Sequence, residues 1–322
     1  MRVVVAGGSG FLGSHLCEAL LRRGDSVCCL DDFSSGPAAN TDPLLRTSGF
    51  ERLPCDVTAP FQVTGDVDAV VHLASPASPY DYQRHPLRTL AAGSRGTENL
   101  LELALRHRAR FVLASTSEVY GDPQVHPQDE DYWGHVSPVG PRSVYDEAKR
   151  FAEALTMAYR RAEGADAGIV RIFNTYGPRM RAHDGRVVST FVRQALAGEP
   201  LTVFGDGSQT RSFCYVDDLV DGLVAMLGTD LPGPFNLGNP SERTVLELAD
   251  LVRRIIGSDA ELRHLPLPVD DPVRRRPVIA RARAALGWTP RVPLEVGLRR
   301  TVGWFAARPD EAGREGAWFL PA

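Results

Sequence analysis

Met1-Arg2-Val3-Val4-Val5-Ala6-Gly7-Gly8-Ser9-Gly10-Phe11-Leu12-Gly13 opens the chain. The short apolar, β-branched run reads as a buried parallel strand, and apolar residues recurring at helical spacing over 13–23 read as an amphipathic helix. Gly7, Gly10 and Gly13 punctuate the turn between them. A tight turn needs one glycine, close approach of a pyrophosphate needs the second, and packing of helix on strand needs the third, while the helix N-terminus offers amide donors to the anion. A second strand over 26–30 ends in Asp31-Asp32. A carboxylate at that strand end accepts hydrogen bonds from ribose hydroxyls and repels a 2′-phosphate, which favours NAD over NADP.

Outward from this turn the pattern repeats. A third strand is expected over 50–57, ending near Asp56 and Val57, where the Asp56 carboxylate is placed to meet the adenine amino group. A fourth over 69–73 runs into Ala74-Ser75-Pro76-Ala77-Ser78-Pro79, whose two prolines are expected to stop any helix. A helix over 87–106, a strand over 110–115, a helix over 145–161 and a strand over 168–173 follow. Strands alternating with amphipathic helices predict an α/β fold, a doubly wound parallel sheet (Rossmann) with its ligand at the carboxyl ends of the strands. Beyond residue 174 the pattern loosens into short helices, such as 187–197 and 245–256, among prolines and glycines. The expected organisation is a Rossmann domain over 1–173 with a returning segment at about 212–240, and a smaller C-terminal α/β substrate-binding cap over 174–211 and 241–322.

The run Tyr145-Asp146-Glu147-Ala148-Lys149-Arg150 holds the one lysine of the 322 residues. A lysine ammonium can bond two ribose hydroxyls and lower the pKa of a nearby phenol, and a planar guanidinium is the wrong shape for that. On a helix the four-residue spacing puts Tyr145 and Lys149 on one face. The formal charge of −4, with no basic stripe, argues against nucleic acid as a partner. Five cysteines with no Cys-x-x-Cys pair indicate buried thiols in a reducing compartment. No apolar run approaches the ~20 residues that span a bilayer, and a strand beginning at residue 2 leaves no room for a signal peptide. A cytoplasmic protein with no membrane partner and no metal is expected. The Arg274-Arg275-Arg276 cluster, between Asp270-Asp271-Pro272 and Pro277, is either a solvated face or an anion site.

Glycine triplet, strand-end aspartate and Tyr-x-x-x-Lys together resemble the extended short-chain dehydrogenase/reductase family over essentially the whole chain. Longer runs narrow the resemblance to the UDP-glucuronic acid decarboxylase (UDP-xylose synthase) group: 73–79, Ser115-Thr116-Ser117-Glu118-Val119-Tyr120-Gly121-Asp122-Pro123, 131–135, Phe173-Asn174-Thr175-Tyr176-Gly177-Pro178-Arg179-Met180 and 184–188. The resemblance implies NAD as cofactor, a UDP-sugar as substrate and a homodimer formed by the helices over 87–106 and 145–161. It implies oxidation of UDP-glucuronate at C4, loss of carbon dioxide from the resulting β-keto acid, and reduction to UDP-xylose, or release of UDP-4-keto-pentose if reduced cofactor escapes. It assigns catalysis to Thr116, Glu118, Tyr145, Lys149 and Arg275. The cofactor falls to Gly7, Gly10, Phe11, Leu12, Gly13, Asp31, Asp32, Ser34, Ser35, Gly36, Asp56, Val57, Leu73, Ala74, Ser75, Tyr145 and Lys149. The substrate falls to Glu118, Tyr145, Asn174, Arg179, Arg186, Val188, Phe204, Arg211 and Arg275, with Arg275 on the sugar carboxylate.

Two alternatives within enzymes are a nucleotide-sugar 4,6-dehydratase and a 4-epimerase. Dehydratases carry an Asp-Glu pair where this chain has Ser117-Glu118, and epimerases usually lack the Glu118 carboxylate. Outside catalysis, NAD(H)-sensing binding proteins of the superfamily have lost the Tyr and Lys that are present here. Three positions depart from the decarboxylase pattern: Gly93 stands where Asn is common, Phe204 for Tyr, and Cys214 for Gln. The first is expected to leave the cofactor pocket short of a side chain.

Overall fold

The computed structural model describes residues 1–140, 142–267 and 274–308. Strands β1 (Arg2–Ala6), β2 (Ser26–Asp31), β3 (Phe50–Pro54), β4 (Ala69–His72), β5 (Arg110–Thr116) and β6 (Ala167–Ile172) join β11 (Phe235–Leu237) in a seven-stranded sheet ordered β11-β6-β5-β4-β1-β2-β3. Every pairing in it is parallel. In β1, Val4 lies opposite Cys28 on one side and Val70 on the other. Val3 and Val5 enter one apolar cluster and Val4 and Ala6 another, so both faces of the sheet are covered. That is why the opening run has no polar alternation: each buried side chain of this size stabilises the fold by roughly 1.5–3 kcal/mol on either face.

Helix α1 (Phe11–Arg22) links β1 to β2, and α5 (Ser143–Ala162) precedes β6. Two expectations are corrected between them. The third strand stops at Pro54 and the chain turns through Asp56, whose carboxylate accepts hydrogen bonds from the Thr58 amide at 2.9 Å and hydroxyl at 2.7 Å. Pro79 does not stop a helix but begins one, α2 (Pro79–Arg84), because the first helical position needs no N–H; Ser78 caps it by accepting from the Asp81 amide at 3.2 Å. The helix expected over 87–106 is present as α3 (Pro86–Ala91), a π-helical turn over Ala92–Gly96, and α4 (Thr97–His107). Gly93 lies in the π turn, and a Cβ there would come within 2.7 Å of the Ala148 carbonyl oxygen. The missing side chain therefore lets α5 approach, rather than leaving a hole beside the cofactor pocket.

The remaining elements build small sheets beside the strand ends. β7 (Thr175–Tyr176) pairs with β10 (Cys214–Tyr215), β8 (Leu201–Phe204) with β13 (Leu262–Leu265), and β9 (Thr210–Ser212) with both β12 (Glu242–Thr244) and β14 (Arg274–Arg275). Around them lie α6 (Val187–Ala197), α7 (Val216–Leu227), α8 (Val245–Ile256), α9 (Ala280–Leu286) and α10 (Leu294–Ala306). α6 and α8 have the limits expected from the sequence, and α8 begins with a reciprocal capping box between Thr244 and Glu247. Residues 309–322 of the expected cap and the Asp270-Asp271-Pro272 flank lie outside the described residues.

Candidate active site

A cavity of about 1240 Å³ opens along the carboxyl ends of the sheet strands. All the residues assigned above to cofactor and substrate line it except Gly36, which packs behind, where a Cβ would meet the Gly10 amide at 2.5 Å. One end is shaped for a dinucleotide. Gly7 has φ +80°, and a Cβ on it would press within 2.7 Å of the Ala74 amide; at Gly13 a Cβ would collide with the Gly7 carbonyl. No side chain caps the start of α1. The amides of its first turn, without acceptors inside the helix, are thus left for an anion in the cavity. Asp31 accepts from the amides of Ser9 and Phe33, both at 2.8 Å, and burial raises its pKa. Asp32 accepts from the Ser34 amide at 2.9 Å and pairs with Arg88. The glycine cradle, the uncapped helix and the strand-end carboxylates fit NAD.

Tyr145 and Lys149 project from one face of α5, both buried. The Lys149 ammonium donates to the Ala114 carbonyl at 2.8 Å and lies 5.9 Å from the Tyr145 ring centroid. Burial lowers its pKa to about 8, with Glu153 the opposing charge. Burial, and next the Glu118 carboxylate, push the Tyr145 phenol up; Arg186 and Thr116 oppose them. Burial and Glu118 thus oppose, within the protein's own groups, the acidification of Tyr145 to which Lys149 is expected to contribute. Thr116 ends β5 and its hydroxyl accepts from the Glu118 amide at 3.2 Å.

Glu118 is held from both sides. Arg275 Nη1 pairs with its Oε1, and Arg142 Nη2 with its Oε2 at 2.9 Å. Burial alone would raise this carboxyl, but Arg275 and Arg142 overcome it and hold the pKa at about 2. Of the three clustered arginines only Arg275 lines the cavity; Arg274 is exposed and Arg276 lies 3.8 Å from Glu242. Sequence reasoning missed Arg142, which precedes α5, and Tyr82, whose ring stacks on Tyr145 with centroids 5.2 Å apart and planes 6° apart. It also gave no role to Asp146, whose pKa is raised to about 7 by burial and then by Glu118. A helix-start arginine, an aspartate beside the motif tyrosine and an aromatic in a short distant helix carry no signal of their own until the fold brings them together.

The far end of the cavity is basic. Arg211 on β9 lies beside Arg275 of β14 in register, Arg186 precedes α6, and Phe204 ends β8, 41% exposed. Arg179 has φ +66° and pairs with Glu18 of α1 at 2.5 Å, so its guanidinium is engaged toward that helix. The Asn174 carbonyl accepts from the amide of buried Cys214 at 2.9 Å. Among the described residues no group of three or more His, Cys, Asp or Glu side chains is placed to hold a metal ion, and no helix is long and apolar enough to cross a membrane.

Residues 3–238 match the model of the NAD dependent epimerase/dehydratase family. UDP-glucuronic acid decarboxylase 1 of Danio rerio is 51% identical over 305 residues, 95% of this chain and 72% of its own. UDP-glucuronic acid decarboxylase 1 of Arabidopsis thaliana is 51% identical over 308 residues, covering 96% and 70%. Among solved structures, a UDP-glucuronic acid 4-epimerase from Bacillus cereus in complex with UDP-glucuronic acid and NAD has a TM-score of 0.84 at 30% identity, over 94% of this chain and 98% of its own. A UDP-glucose 4-epimerase from Thermotoga maritima has a TM-score of 0.85 at 30% identity, over 95% and 98%.

Proposed function

Because the chain belongs to the NAD dependent epimerase/dehydratase family, we propose that it is an NAD-dependent UDP-glucuronate decarboxylase that forms UDP-xylose. The observation that carries this reading is the Glu118 carboxylate held between Arg275 and Arg142 beside Tyr145, an array of fixed charge suited to a carboxylate-bearing carbon next to the carbon being oxidised. Ser117 is buried where a dehydratase needs an acid. NAD, when bound, supplies a reversible two-electron oxidation at C4 of the sugar.

The protein's groups account for the rest. Tyr145, ionised by the Lys149 ammonium together with the positive charge that a bound nicotinamide would bring, takes the proton of the C4 hydroxyl as the carbonyl forms. The C5–carboxylate bond of the β-keto acid then breaks, carbon dioxide leaves, and the electron pair passes into the C4 carbonyl as an enolate. Tyr145 and Thr116 donate hydrogen bonds to that oxygen. Glu118 orders the water that returns a proton to C5. Asn174, Arg186, Val188, Phe204 and Arg211 form the nucleotide-diphosphate end, where the Arg186 and Arg211 forks suit the phosphates, and Arg179 lines it with its guanidinium turned to Glu18. In this reading 1–173 with the return at 212–240 is the cofactor platform, and 174–211 with 241–322 is the cap. The protein acts as a homodimer in the cytoplasm; exposed Leu87 and Phe151 support the first, five free thiols the second.

Incubation of the purified protein with UDP-glucuronate, followed by product mass and NADH absorbance, tests the function. Loss of carbon dioxide with UDP-xylose as product and no net NADH is expected. A product of unchanged mass would make the protein an epimerase. UDP-4-keto-pentose with equimolar NADH would mean that reduced cofactor escapes before the final step.

A further inference from the structure

Arg142 is an unusual residue type for its position in the helix. It is the residue at the N-cap of α5, where Ser, Thr, Asp or Asn is favoured, and its side chain makes no capping hydrogen bond. A fixed cation at that end of a 20-residue helix also opposes the helix dipole. Its side chain lines the cavity, 15% exposed, whereas the Arg275 side chain is 3% exposed and donates from its other nitrogen to the Gly121 carbonyl at 3.2 Å. Arg275 is thus the more enclosed of the two, and Arg142 is the guanidinium that an entering anion reaches first.

Position and charge agree. Tyr145 lies three residues on, and its amide donates to the Arg142 carbonyl at 3.2 Å. The group that holds a carboxylate on C5 must lie within a side chain's reach of the group that works on the neighbouring C4 oxygen, and Arg142 is one helical turn from it. Two guanidinium groups face one Glu118 carboxylate, and burial and Glu118 raise the pKa of the adjoining Asp146, which weakens its negative charge at neutral pH. The two guanidinium groups and Glu118 leave one positive charge in excess, the complement of one further carboxylate, and Asp146 offsets only part of it.

We propose that Arg142 is the carboxylate-recognising arm of the site: the substrate's C5 carboxylate takes the place of Glu118 Oε2 on the Arg142 guanidinium, while Arg275 keeps Glu118 Oε1. The inference rests on the decarboxylase reading and extends it to what selects a uronate. When the carboxylate departs as carbon dioxide, Glu118 recovers Arg142, so a product without a carboxylate meets a re-formed ion pair in place of an anchor. Substrate binding and Glu118 release are one event.

Calorimetric titration of the NAD-loaded protein with UDP-glucuronate and with UDP-xylose, which lacks the carboxylate, separates the outcomes when every protein titrated also carries Tyr145→Phe, which keeps UDP-glucuronate from being consumed. Arg142→Ala should weaken UDP-glucuronate about ten- to a hundredfold, the range for a hydrogen bond to a charged group. UDP-xylose should change by less than about twofold. Arg142→Lys, which keeps the charge without the fork, should recover part of the loss. If both ligands weaken alike, Arg142 only supports α5; if UDP-glucuronate is unaffected, the carboxylate is bound elsewhere, and either result overturns the proposal. UDP-xylose affinity doubles as the check that a variant has folded, with Arg142→Gln in reserve under the same criteria. Failure of the parent protein to release carbon dioxide would instead strike the functional reading itself.

Discussion

Lys149 was legible in the sequence as an exception to an all-arginine chain, and the structure gives the physical reason arginine does not serve there. The ammonium is buried and meets one carbonyl, Ala114 O. A guanidinium would bring five donors into the same space. Lys149→Arg should keep the far-ultraviolet circular dichroism of the parent and lower kcat by about a hundredfold or more, the usual weight of a proton-transfer group; near-normal turnover would remove Lys149 from the mechanism. Asp146, one residue after Tyr145, was invisible as anything but a helix residue. Its folded pKa of about 7 lies above the ordinary 3.8, with one carboxylate oxygen buried and unpartnered. The folded state therefore binds the proton more tightly than the unfolded chain, and stability falls as pH rises from about 4 to about 7. Arg142 and Arg275 oppose that rise, while Glu118 and Glu147 add to it. Asp146→Asn removes the titration, so its melting temperature should gain on the parent as pH rises through this window. A constant difference from pH 4 to pH 8 would place Asp146 in a more polar setting than the structure gives it.

At the scale of elements, helix and strand types were readable because period 3.6 and unbroken β-branched runs are local properties. The π turn at Ala92–Gly96 was not, since one extra residue in a helical turn leaves the apolar pattern nearly unchanged. Its consequence is tertiary. Gly93 sits against Ala148, which lies between Tyr145 and Lys149 on α5, so the contact between these helices sets the depth at which those two side chains stand. Gly93→Ala should destabilise the protein by about 1–3 kcal/mol, as overpacking does, and lower kcat with it, because the main-chain oxygen of Ala148 can yield only if α5 moves. Urea unfolding with steady-state kinetics checks this; unchanged values of both would show that the helices part without disturbing the site.

For the whole molecule, α3 and α5 present apolar side chains to solvent: Leu87 is 80% exposed, Leu90 39% and Phe151 50%. Apolar side chains exposed on two neighbouring helices mark an interaction surface, which in the dimer reading is self-complementary. Light scattering at micromolar concentration should return twice the chain mass, and Leu87→Glu with Phe151→Glu should return the monomer; a monomeric parent would end the dimer reading. The sequence by itself determined the sheet, the glycine turn, the strand-end carboxylates and the Tyr145–Lys149 pair, because each depends on residues within one turn or strand of each other. It also marked Glu118 and Arg275 as candidates, through runs of residues resembling the UDP-glucuronic acid decarboxylases. Only the tertiary structure decided that these two side chains pair with each other across 157 positions and that Arg142 holds the second oxygen. It also decided that Tyr82 covers the Tyr145 ring. Those contacts join a strand end, a helix start, a short helix and a cap strand, and no periodicity in a chain encodes which distant side chains share a cavity once burial has made their charges depend on one another.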